Sequence, residues 1–192
     1  MTARAVGVEA TRNRILKAVV DLAATRRISE ITLASIAGEA GVTVQTVLRQ
    51  FGSRLGALEA AKAYGATRVR RDRATPVGDV VAALRVLVAH YEDGGRAALL
   101  MLAQELDDEF AATITAGGRA VHRAWVREVF APYLATDAHD ELVDLLVVAT
   151  DVYAWKLLRL DRGLSRRRTL SLMTALVECV LGISPSLNPG GR

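Results

Sequence analysis

Gln45, Thr46, Arg49 and Gln50 share one face of a short predicted helix, Val44 to Phe51. Glutamine can pair bidentately with adenine and arginine with guanine at major-groove edges. Thr43 precedes the helix as a cap and turns free backbone N–H groups towards a nearby phosphate. The rear of the helix is apolar, through Val44, Val47 and Phe51. A second short helix, Leu33 to Ala40, precedes it. Thr32 caps that helix, and it buries Leu33, Ile36, Ala37 and Ala40. Gly41 between the two can take the left-handed conformation of a tight turn. Small residues at Ala37 and Ala40 allow a close crossing. Together, residues 32–51 (TLASIAGEAGVTVQTVLRQF) meet the needs of a DNA-reading helix-turn-helix. An ordinary αα-corner in a helical protein has the same local pattern, and both readings stand on the motif alone.

Charge separates these readings further. Residues 1–75 hold 13 Lys+Arg and 6 Asp+Glu, a net of +7, whereas residues 76–192 hold 12 and 15, a net of −3. A basic head on an acidic body suits a polyanionic partner for the head. Arg4, Arg12 and Arg14 are placed to reach flanking phosphates or a minor groove. Arg68, Arg70, Arg71 and Arg73 add to the head's field.

Other chemistries find little support. His90, His122 and His139 form no metal-spaced pair, so no metal or other cofactor is expected. Glu105, Asp107, Asp108 and Glu109 read as charge at a helix start. No Gly-rich phosphate loop or nucleophile elbow occurs, so an enzyme is not expected. The single cysteine, Cys179, excludes an intrachain disulfide and is expected to be buried in an apolar helix. The opening MTARAVGVEATRNR lacks a secretory apolar core, and the longest apolar run, Leu142 to Leu160, is broken by charges. A cytoplasmic protein is expected.

Long helical periodicities and scarce proline predict an all-α protein of about nine helices. A loose tail, residues 1–8, precedes a helix from Glu9 to Thr25 with Ile15, Val19, Leu22 and Ala23 on its buried face. Ser53 caps a fourth helix to Asp72. Ala74-Thr75-Pro76 marks a seam between a head, residues 1–73, and a body, residues 74–192. In the body, helices are predicted over Val77 to Glu92, Arg96 to Leu106 and Asp107 to Leu134, with Asp93-Gly94-Gly95 as a turn. Gly117-Gly118 is a place for a bend. A long helix from Ala138 to Asp161, capped by Asp137 and ended by Gly163, precedes a last one from Ser165 to Leu181. Ser184 to Arg192 reads as a tail. Apolar residues cover a wide arc of the last two helices, including Leu142, Leu145, Leu146, Ala149, Val148, Tyr153 and Leu157, then Leu170, Met173, Leu176 and Val177. Helices apolar over so wide an arc are buried on two sides.

The segment TRNRILKAVVDLA (Thr11 to Ala23), with Thr32, Ile36-Ala37, Ala40-Gly41-Val42-Thr43, Phe51, Ser53-Arg54 and Leu58, resembles the tetracycline-repressor (TetR) family of bacterial regulators. The likeness covers roughly the first 60 residues; beyond residue 75 only length and helicity match. It implies an N-terminal helix-turn-helix head and a C-terminal ligand-binding and dimerisation body. It further implies a homodimer through the last two helices, binding a palindromic operator and released by a small apolar or aromatic molecule. The implied DNA-contacting set is Thr32, Thr43, Val44, Gln45, Thr46, Leu48, Arg49, Gln50 and Arg54. Here Leu48 replaces a phosphate-contacting Tyr, Gln50 a His and Gln45 a Gly, while Arg54 keeps the charge of a phosphate-binding Lys. Arg27 stands at a usual Gly, where a left-handed backbone would be strained. Candidate ligand contacts are Tyr91, Met101, His122, Trp125, Tyr153 and Trp155. A DNA-binding regulator without a ligand, or a helical carrier or enzyme, are the competing readings.

Overall fold

A computed structural model describes residues 3–134 and 139–183. The Asp137 cap and the Ser184 to Arg192 tail lie outside the described residues, as does the side chain of Arg4. The fold is all-α. It divides into two compact units, Met1–Val69 with Leu100–Ala116, and Arg70–Leu99 with Gly117–Arg192.

The first unit is the head. It contains α1 (Ala3–Ala23), a 3-10 turn (Ile28–Glu30), α2 (Leu33–Ala40), α3 (Val44–Phe51) and most of α4 (Arg54–Asp72). Helix α1 starts at Ala3, so residues 3–8 extend the helix where a loose tail was expected. Ile15, Leu16, Val19 and Leu22 of α1 pack with Ile36, Ala37, Val47, Ala57 and Leu58 in one core. Met101, Phe110, Ala111 and Ile114 join that core. Gln104 is buried in the same unit; its side-chain oxygen accepts from Ile28 N at 2.8 Å and its amide donates to Leu100 O at 2.8 Å. Arg27 is extended, at φ −65° and ψ 147°, so the strain a left-handed backbone would bring is absent.

The second unit is built on α5 (Val80–Leu102) as far as Leu99, α6 (Glu109–Val129) from Gly117 onwards, α7 (His139–Thr150), α8 (Val152–Lys156) and α9 (Arg166–Val180). Several boundaries differ from those the sequence predicts. Helix α5 begins at Val80, not Val77, because Gly78 takes a left-handed φ of 82° and Asp79 then caps the Ala82 N–H. It runs unbroken through Asp93-Gly94-Gly95 to Leu102, so the expected turn and the separate helix from Arg96 do not exist. Asp108 caps α6 through Ala111 N, which then passes Gly117-Gly118 without a break and ends at Val129 before a 3-10 turn. The long helix expected to Asp161 breaks at Asp151, which turns extended and caps α8 through Tyr153 N. A π-helical turn (Leu157–Asp161) follows. The Thr150 carbonyl released by the break accepts from the Tyr91 hydroxyl at 2.9 Å.

Gly95 explains why a turn-like triplet sits inside a helix. A Cβ there would lie 2.6 Å from Trp155 Cζ3. The indole cannot retreat freely, because its N–H donates to Glu92 Oε1 at 3.0 Å and Arg159 holds the same carboxylate. Gly95→Ala is therefore expected to destabilise the protein by about 2 kcal/mol through overpacking. Urea unfolding of wild type and variant reads this directly, and coincident midpoints would refute it.

Among the described residues the C-terminal helices leave part of their apolar surface open. Val143, Leu146 and Ala149 of α7 and Met173 and Val177 of α9 are buried. Leu145, Val148, Tyr153, Leu157 and Leu176 are exposed, Val148 at 68%. Cys179 is exposed as well, contrary to expectation. It lies one helical turn beyond Leu176, on the side away from Met173 and Val177.

Candidate nucleic-acid interface

The two short helices form by local capping. Thr32 and Ser35 exchange hydrogen bonds, Ser35 N to Thr32 Oγ1 at 3.1 Å and Thr32 N to Ser35 Oγ at 2.9 Å. Gly41, at φ 63° and ψ 42°, ends α2, and Val42 N closes the turn onto Ala37 O at 2.9 Å. Thr43 Oγ1 accepts from Thr46 N at 3.2 Å and starts α3. A helix leaves its first N–H groups without internal partners, so those of Val44 and Gln45 remain for an anion.

Helix α3 is pinned by Val47, which is fully buried. Gln45 and Arg49 are exposed, Thr46 and Gln50 half-buried. Val44 and Leu48, four residues apart, form an adjoining apolar strip, with Val44 exposed rather than in the rear as expected. Phe51 is half-buried and closes the helix against the head core. The structure thus brings Val44, Gln45, Leu48 and Arg49 onto one open surface of a short, rigidly capped helix. The DNA-contacting roles assigned to Thr32 and Thr43 compete with capping, since each hydroxyl already accepts a backbone N–H.

Two arginines behave differently from the sequence expectation. Arg54 turns inward, where its Nε donates to Ile31 O and its Nη2 to Ile28 O. It ties the 3-10 turn to the start of α4, leaving Nη1 and the second Nη2 N–H for a phosphate. Arg12 lies 4.7 Å from the centre of the Phe51 ring and donates to Gln50 O at 3.5 Å. It braces the end of α3 from α1 instead of reaching outward. The general basic charge of the head said nothing of these internal tasks, because charge composition cannot distinguish a solvated arginine from one satisfying carbonyls.

Gly56 is a further positioning residue. A Cβ on it would stand 2.2 Å from the Phe51 carbonyl oxygen, so α4 can follow α3 this closely only with glycine. Gly52, at φ 74°, makes the turn between them. No sequence signal marks Gly56, which sits in the first turn of α4 with an unremarkable neighbourhood.

The chain shares its fold with a crystal structure from Rhodococcus sp. assigned to the TetR family of transcriptional regulators. The TM-score is 0.65 at 21% sequence identity, over 90% of this chain and 99% of that one. No protein-family model matches it, and no curated protein does. Within this fold the capped pair α2 and α3 is the helix-turn-helix that the sequence predicts.

The ligand candidates do not form one group. Met101 packs into the head core, and Tyr153 is half-exposed on α8. In the body, Trp155 packs under Gly95 and on Tyr91, with ring centres 5.9 Å apart. His122 and Trp125 stack at 5.7 Å. His122 Nδ1 lies 3.1 Å from Arg73 Nη1, and His122 Nε2 lies 3.1 Å from Thr150 Oγ1. Arginine can only donate, so Nδ1 is the acceptor and the imidazole proton sits on Nε2. Burial, and after it the Arg73 charge, push the His122 pKa down to about 4, so the ring is neutral. Among the described residues no group of three His, Cys, Asp or Glu is placed to hold a metal, and no helix is long and apolar enough to cross a membrane.

Proposed function

We propose that this protein is a cytoplasmic, DNA-binding transcriptional regulator of the TetR family. It acts as a homodimer on a palindromic operator and represses until a small molecule releases it. The observation that carries the reading is α3 itself. An eight-residue helix is capped at both ends, pinned by one buried valine, and offers Gln45 and Arg49 to solvent from a basic head. That is the geometry by which a recognition helix enters a major groove.

If Gln45 or Arg49 reads a base, Gln45→Ala or Arg49→Ala weakens specific DNA binding by about 1–3 kcal/mol. Binding to bulk DNA changes far less. Fluorescence anisotropy with a specific duplex and a scrambled one measures both. Operator affinity that survives both substitutions would remove α3 from the reading.

The homodimer reading is supported by the exposed strip of Leu145, Val148, Leu157 and Leu176. Exposed apolar residues of this kind on α7, the π-helical turn and α9 suit a twofold partner. Sedimentation velocity is expected to give a dimer at micromolar concentration and a monomer for Val148→Glu. A monomeric wild type would exclude it.

A further inference from the structure

The interior of the body holds a buried guanidinium whose Nε has no hydrogen-bond partner. Arg73 is 8% exposed, and a guanidinium stays protonated in any protein environment. Its Nη1 is held by the neutral His122. Its Nε is buried and has no hydrogen-bond partner. Among the described residues no carboxylate forms an ion pair with it. Asp151, whose charge reaches the Tyr91 hydroxyl, is engaged in capping Tyr153 N. The guanidinium carbon lies 5.2 Å from the centre of the Tyr91 ring, and the Trp125 indole donates to the Arg73 carbonyl at 3.0 Å. A buried cation without a counter-charge is costly, and a bidentate carboxylate is the partner that a free guanidinium edge matches best.

We propose that Arg73 anchors a binding site for an organic monocarboxylate whose apolar body lies against Tyr91, His122 and Trp125. One unsatisfied cation calls for one negative charge. The ring-rich surroundings call for an apolar or aromatic remainder. Arg73 directly follows α4, whose first residues belong to the head. This assignment names the effector class and rests on the regulator reading above.

Benzoate is the probe, with benzamide as its uncharged isostere, at constant ionic strength. Trp125 and Trp155, the two tryptophans, report binding by fluorescence, and melting reports stabilisation. At about a hundredfold excess over Kd, benzoate is expected to raise Tm by about 5 °C and quench the fluorescence, while benzamide does neither. Arg73→Met abolishes the response. Arg73→Lys, which keeps the charge without the planar fork, weakens benzoate about tenfold and remains informative if the Met variant fails to fold. No benzoate response in the wild type, an equal response to benzamide, or unchanged affinity in Arg73→Lys would each overturn the site. A parallel DNA-binding assay separates the two claims. DNA binding without any benzoate response refutes the carboxylate site alone, whereas benzoate binding by a protein that binds no DNA refutes the regulator reading.

Discussion

Gly56→Ala is expected to cost about 3 kcal/mol and to abolish specific DNA binding at physiological temperature. The added methyl would meet a backbone oxygen, Phe51 O at 2.2 Å, rather than a side chain that can rotate away. Relief therefore requires α3 and α4 to separate. Phe51 and Val47 both lie on α3 and pack into the head core, so separation also loosens the seat of the recognition helix. The effect should appear twice, as a lower unfolding midpoint and as lost operator affinity. Gly65→Ala, with open space around its Cβ and an ordinary helical backbone, is the control and should be neutral or slightly stabilising. Equal stabilities for Gly56→Ala and Gly65→Ala would show that the α3–α4 joint is not the tight point described.

The body is expected to lose stability as acid reaches His122. Unfolded, this imidazole titrates near its ordinary 6.5; folded, burial and the charges of Arg73 and His90 hold it down to about 4. Between those values the unfolded chain takes a proton that the folded chain refuses. The contribution is thus intact above about pH 6.5 and is lost as pH falls towards about 4. At about 1.36 kcal/mol per pH unit, that interval amounts to about 3 kcal/mol. His122→Gln keeps an acceptor for Arg73 and a donor for Thr150 Oγ1 but cannot titrate. Urea unfolding from pH 7 to pH 4 should therefore fall more steeply for wild type than for His122→Gln. Parallel curves would mean that His122 is not the buried neutral ring described.

The head was legible because its signals are local. Thr32, Gly41, Thr43 and Gly52 each act on backbone groups within four residues, and α2 and α3 have the predicted bounds as a result. The body was less legible because its punctuation answers to distant partners. Asp93-Gly94-Gly95 reads as a turn in isolation, but Gly95 is there to admit Trp155 from sixty residues away. Asp151 looks like a charge interrupting a long helix, yet it breaks that helix and frees a carbonyl for Tyr91. Arg54 reads as a phosphate contact from the family resemblance, and Arg12 from its charge. Their hydrogen bonds to Ile28, Ile31 and Gln50 depend on three-dimensional placement that spacing does not encode. Cys179 belonged to an apolar helix, but composition does not reveal which side of α9 the body leaves open.

The most direct test of the central claim is a mobility-shift titration on the DNA upstream of the protein's own coding sequence, at two salt concentrations with bulk competitor. One fragment is expected to stay bound by a dimer in excess competitor at moderate salt, while binding to all other fragments falls away as counterions compete for the basic head. If no fragment is held more tightly than bulk DNA at either salt, α3 is not reading sequence and the protein is not the regulator described.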